Sequence, residues 1–281
     1  KLRASYVRES IDELRRETGL ADKEGRAEDR VELQAKVEEV QAPARGIRLE
    51  PTTDEPLPPH VEVVPERVDE LLHRLDHGAD VVTTGNHVWD KKEVLDMLVH
   101  EPRLVRPANY PEGTPGRGIH VGETAAGVRV ATINLEGQVF MKNLDSPFRV
   151  ADRLLADLDK KIKIVFVDFH AEATSEKQAL GVYLDGRVSG VVGTHAHVPT
   201  ADQRVLPQGT AFLTDAGMTG PYEGVIGFRS DRVLQRFLTQ MPAAFEVAKR
   251  DVRLAGVLLD IDESTGRARA IDRFLVPDAG A

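Results

Sequence analysis

Asn86, His87, His170, His195 and His197 are the side chains whose types and spacing could do chemistry. Each follows a short apolar run. Val81-Val82-Thr83-Thr84 leads into Gly85-Asn86-His87, Ile164-Val165-Phe166-Val167-Asp168-Phe169 into His170, and Gly190-Val191-Val192-Gly193-Thr194 into His195-Ala196-His197. An Asn carbonyl oxygen and neutral imidazoles are sound ligands for a divalent transition metal, and a sulfur-free N/O set points to Mn, Fe or Zn. His195 and His197 stand at i and i+2: in a strict strand they share a face, and in a loop just past one they can reach two metals side by side. Singly, an Asn-His pair reads as a turn and His170 as a semi-buried histidine; together at three strand ends they read as one metal site. His73 and His77 sit four apart on a charged helix and read as a solvated face. His60, His100 and His120 occupy polar loops or helix ends and carry no role.

The elements behind these residues follow from pattern. Open α/β sheets assemble sites at the carboxyl ends of strands, where loops converge on a rigid frame. Continuous β-branched runs predict strands at 81–84, 128–135, 162–169, 188–192, 211–214 and 254–261. Helices are predicted at 66–75, 91–99, 148–158, 175–183 and 231–239. The alternation indicates a largely parallel α/β arrangement, and the last 30 residues read as an antiparallel hairpin turning at Glu263-Ser264-Thr265-Gly266.

Residues 1–62 differ from the rest. They hold 15 acidic and 11 basic side chains, and Tyr6 is their sole aromatic. Such a segment buries little and is expected to be partly helical or disordered, with helices at 6–20 and 28–40 and a Pro-rich linker at 41–60. The expected domain is 63–281. Across 281 residues there is no cysteine, which excludes disulfide scaffolds, thiolate zinc sites, iron–sulfur clusters and cysteine nucleophiles. A net charge of −9 gives no footprint for duplex nucleic acid. No apolar run reaches the roughly 18 residues of a membrane span, so a cytoplasmic location is expected.

Longer motifs add a resemblance. Gly85-Asn86-His87, Trp89-Asp90-Lys91-Lys92 and Arg106-Pro107-Ala108-Asn109-Tyr110-Pro111 resemble calcineurin-like metallophosphoesterases. Asp168 to Lys177, Val192 to Asp202 and Thr214 to Pro221 resemble the YmdB-type bacterial branch, and the likeness spans 65–277. It implies a four-layer α/β/β/α sandwich with two divalent ions, hydrolysing small phosphodiesters such as 2′,3′-cyclic nucleotides, possible as a homo-oligomer. By the same likeness Asn86, His170 and His195 hold one metal, His197 helps hold the other, and His87 is the general acid. Asp168, Glu172 or Asp202 then serve as outer partners of the ligating imidazoles.

The family pattern also opens with a strand ending in Gly-Asp and a second strand carrying a bridging Glu. No Gly-Asp dipeptide occurs in this sequence, and 21–62 shows no buried strand. The chain starts at Lys1, so the first strand is expected to be truncated and the second rewritten. The matched residues then supply no strand-end carboxylate, and at most about one metal, weakly held, is expected. A catalytically impaired or non-catalytic relative that binds or regulates is the alternative reading.

Overall fold

A computed structural model of the protein describes residues 61–63 (backbone alone), 75, 78–89 and 94–278, all within the unit Leu57–Ala281. In chain order these form β1 (Val61–Val63), β2 (Val81–Thr83), a 3₁₀ turn (Gly85–His87), α1 (Val94–His100), β3 (Leu104–Val105), β4 (Ile119–Glu123) and β5 (Arg129–Glu136). They continue with α2 (Pro147–Asp157), β6 (Ile164–His170), α3 (Thr174–Tyr183), β7 (Gly190–Thr194), β8 (Arg204–Val205) and β9 (Ala211–Leu213). The chain closes with β10 (Gly220–Pro221), α4 (Ser230–Thr239), β11 (Val252–Ile261) and β12 (Ala268–Pro277).

Three sheets result. The largest runs β4-β5-β6-β7-β9-β8, parallel from β5 through β9 and closed on each edge by an antiparallel strand. A small parallel sheet runs β1-β2-β3, and β10-β11-β12 is antiparallel. The fold is mixed α/β.

The period of two along each strand separates core from site. Ala131, Ile133 and Leu135 of β5 join Val165, Val167 and Phe169 of β6 in the main core, with Val150 and Ala151 of α2 and Leu180 of α3. The alternate residues Thr132, Asn134, Glu136, Asp168 and His170 are equally buried but polar. Burying apolar side chains on the first face contributes about 1.5–3 kcal/mol each and makes the sheet rigid. That rigidity lets the second face hold a polar array. On β9, Ala211 and Leu213 pack with Ile271, Val257 and Leu259 of the terminal hairpin. Gly190 is bare beneath it, because a Cβ there would overlap Leu259 Cδ2.

The expected strands and helices in the described part appear within a few residues of their predicted ends, and so does the hairpin. Two expectations change. The sheet is less uniformly parallel, since β4 alternates half-exposed residues that carry no buried-run signal and pairs antiparallel to β5. Also, 21–62 is not strandless to its end: β1 begins at Val61 and pairs in parallel with β2. The expectations for 6–20, 28–40, 41–60 and most of 66–75 lie outside the described residues, as do His60, His73 and His77. Among the described residues no helix is long and apolar enough to cross a membrane.

Candidate active site

Three of the predicted residues meet. His170 Nε2 lies 2.7 Å from Asn86 Oδ1 and 3.1 Å from His195 Nδ1. β6 delivers His170 and β7 delivers His195 one residue past its end, while the 3₁₀ turn after β2 delivers Asn86. That turn fits against β6 because residue 85 is glycine. Its φ is +55°, and a Cβ there would stand 2.5 Å from His170 Nδ1. Asn134 of β5 fixes the approach by accepting the Gly85 N–H at 3.2 Å.

The hydrogen-bond inventory sets the tautomers. Thr194 Oγ1 donates its one proton to Asp168 Oδ1 at 2.7 Å. Its 3.0 Å contact with His170 Nδ1 is therefore donated by the ring, which leaves Nε2 bare. His195 Nε2 stands 3.1 Å from Glu172 Oε2, a carboxylate that only accepts, so Nδ1 is the bare nitrogen. Burial disfavours the charged form of both rings, and it holds His170 well below the ordinary histidine range. His195 is lowered by burial against the pull of Glu172. Two imidazole lone pairs and an amide oxygen thus converge with no proton between them. That arrangement is unfavourable alone and suited to a divalent cation. Among the described residues no three His, Asp or Glu side chains form a metal-holding group by themselves.

His197 is not part of the cluster. Its Nδ1 donates to the Ile226 carbonyl at 3.1 Å, on the exposed side of the loop. His195 and His197 have φ of +97° and +64°, a left-handed region that costs a non-glycine residue roughly 1–3 kcal/mol when strained. The interposed Ala196 N–H donates to Asp215 Oδ2 at 3.0 Å. Of the expected outer partners, Glu172 meets His195 directly and Asp168 serves His170 through Thr194. Asp202 instead accepts from Thr214, at 2.5 Å from its hydroxyl.

Burial raises the Asp168 pKa to about 6 against hydrogen bonds from Thr194 and Thr83. Asn134 Nδ2 also donates to it at 2.9 Å.

A strand-end carboxylate does stand at this edge, outside the matched motifs. Glu136 closes β5 directly opposite His170 in the parallel register. It is fully buried, and among the described residues neither carboxylate oxygen has a hydrogen-bond partner. Burial raises its pKa, opposed by the nearby Lys142 charge, Tyr110 and the His87 charge. Its one sequence signal is the alternation Thr132, Asn134, Glu136. Thr194 was legible only as part of a motif. Lys177 of α3 was likewise legible only through a motif, and its burial carried no signal, because a helical lysine reads as solvated.

Open α/β sheets assemble their sites at the carboxyl ends of the strands, and here nitrogen and oxygen donors gather at that edge, as in a hydrolase. The chain is a member of the YmdB-like protein family, whose model matches residues 64–274. It is 53% identical over 211 residues to a 2′,3′-cyclic-nucleotide 2′-phosphodiesterase of Bacillus subtilis, covering 75% of this chain and 80% of that one. The crystal structure of a hypothetical protein from Thermus thermophilus matches with a TM-score of 0.70 at 44% identity, covering 77% of this chain and 83% of that one. That of a novel phosphatase from Mycoplasma pneumoniae matches with a TM-score of 0.70 at 32% identity, covering 75% and 76%.

Proposed function

We propose that the protein is a divalent-metal-dependent phosphodiesterase acting on small phosphodiesters, 2′,3′-cyclic nucleotides first among them. The observation that carries this reading is the convergence of His170 Nε2, His195 Nδ1 and Asn86 Oδ1. The Bacillus relative supplies the substrate class. Asn86, His170 and His195 are the ligands of one cation, drawn from Mn, Fe or Zn, and His197 is a ligand of a second through its Nε2. When bound, such an ion acts as a Lewis acid toward phosphoryl oxygen.

The chain's own residues do the rest. Water adds to phosphorus as one ribose ester oxygen departs, and that oxygen needs a proton. His87, next to Asn86 on the 3₁₀ turn, donates it. Glu172, Thr194 and Asp168 keep the ligand rings in their working tautomers. In this reading 63–281 is the phosphoesterase domain, and the two parallel-stranded sheets are the inner layers of an α/β/β/α sandwich. Its support is the Gly85–Asn134 hydrogen bond and the His170–Asn86 contact between them. The relatives do not favour the non-catalytic alternative.

The test is hydrolysis of 2′,3′-cyclic AMP by the Mn²⁺-loaded full chain and its His87→Ala variant. The variant should keep its Mn²⁺ affinity and lose roughly 10²–10⁴ in kcat. Loss of metal in that variant reassigns His87 as a ligand, and no turnover by the loaded wild-type chain defeats the reading.

A further inference from the structure

We propose that Lys177 and Asp215 form a buried positioning pair that holds the His195–His197 loop in its metal-receiving shape. This rests on the functional reading above and adds two residues to it. Lys177 Nζ donates to Asp215 Oδ2 at 2.6 Å, and both side chains are 1% exposed. The same Oδ2 accepts the Ala196 N–H at 3.0 Å, while Oδ1 accepts the Gly217 N–H at 2.8 Å. Asp215 is itself fixed from behind, since its N–H donates to Thr200 Oγ1 and its carbonyl accepts the Thr200 N–H. One carboxylate therefore ties the segment after β7 to the segment after β9, at the one residue between the two left-handed histidines.

The lysine has a path made for it. A Cβ at Gly193 would stand 2.9 Å from Lys177 Cδ and would overlap the Thr214 carbonyl oxygen, so the strand before His195 stays bare where the lysine stem passes. A buried ion pair is a poor stability device, because apolar residues of similar volume often replace it without loss. What an apolar pair cannot do is accept the Ala196 N–H. The pair's value is geometric: the ammonium holds the carboxylate in place, and the carboxylate sets the direction in which His195 and His197 point.

The experiment compares two full-chain double variants. Lys177→Met/Asp215→Asn removes both charges but keeps a carbonyl acceptor for Ala196, and Lys177→Met/Asp215→Leu removes the acceptor as well. Mn²⁺ affinity is read by calorimetry, and melting temperature is read in chelator. The asparagine variant should stay close to wild type in affinity, while the leucine variant should lose roughly 10–100-fold, as for other outer partners of a metal site. Their metal-free melting temperatures should match within a few degrees. If the leucine variant does not fold, Lys177→Met/Asp215→Ala takes its place in the same comparison. Equal affinity in the acceptor-keeping and acceptor-lacking variants, with Mn²⁺ bound by wild type, overturns this inference alone. A wild-type chain that takes up no Mn²⁺ defeats the functional reading and this inference together.

Discussion

The two histidines of the His195-Ala196-His197 segment are held in different ways. His195 faces inward, and its outer nitrogen meets the Glu172 side chain beside a neighbouring ring from β6. His197 faces the exposed side, and its outer nitrogen meets the backbone carbonyl of Ile226, a residue itself at φ +45°. Both have an anchored nitrogen and a second one left for a ligand. Only His195 has that second nitrogen aimed at other donors. On the proposed reading, one half of the site is thus assembled before any cation arrives. The other half is then a single ligand on a loop, which puts metal affinity and metal stoichiometry in different parts of the chain.

The comparison breaks most sharply at the ligands. His170→Ala should abolish tight Mn²⁺ binding and hydrolysis together, whereas His197→Ala should leave the tight site's affinity unchanged and lower turnover. Calorimetry and hydrolysis of 2′,3′-cyclic AMP check both, and equal losses of affinity in the two variants would erase the distinction. A smaller effect is expected from Glu172→Ala, which frees the outer nitrogen of His195. Mn²⁺ affinity should fall by roughly tenfold, the low end for an outer partner, because Glu172 is half exposed. An unchanged affinity would show that His195 is oriented by backbone alone.

The smallest effect concerns the base of the loop. Burial works against the Asp202 charge, but hydrogen bonds from Thr214 and Thr200 outweigh it and leave the pKa below its ordinary 3.8. A carboxylate depressed on folding contributes stability that is full above the unfolded value and lost as pH falls through the folded one. Asp202→Asn should therefore melt a few degrees lower at pH 7. The gap should narrow below about pH 4, followed by thermal denaturation across pH 3–7. A gap that is constant with pH would mean that the carboxylate charge has no part in it.

Much of this site was legible because strand ends are legible. The runs before Gly85, His170 and His195 are continuous and β-branched, and a polar residue closing such a run in an α/β chain has few other uses. Glu136 escaped notice because glutamate after Leu135 reads as the start of a loop; only its register opposite His170 places it inside. Asp215 stands two residues past another parallel strand and carried the same signal without histidine to mark it. Lys177 was beyond reach of pattern. Its burial depends on the bare backbone at Gly193 and on a carboxylate 38 residues later, a coincidence of tertiary structure. β4 was missed for the opposite reason, since its half-exposed residues look like surface.

The first turn of α3 reaches both rims of the site from adjacent residues. Glu176 accepts the N–H groups of Gln138 and Val139 in the segment after β5, at 2.9 and 3.2 Å. Lys177 reaches Asp215 and, through it, the segment carrying His195. The two rims share one rivet. A shift of that helical turn carries both, so substitutions on one rim alter the effect of substitutions on the other. Evolution could reshape this mouth by sliding α3 as a block, but not by retuning one lip while the other stays put.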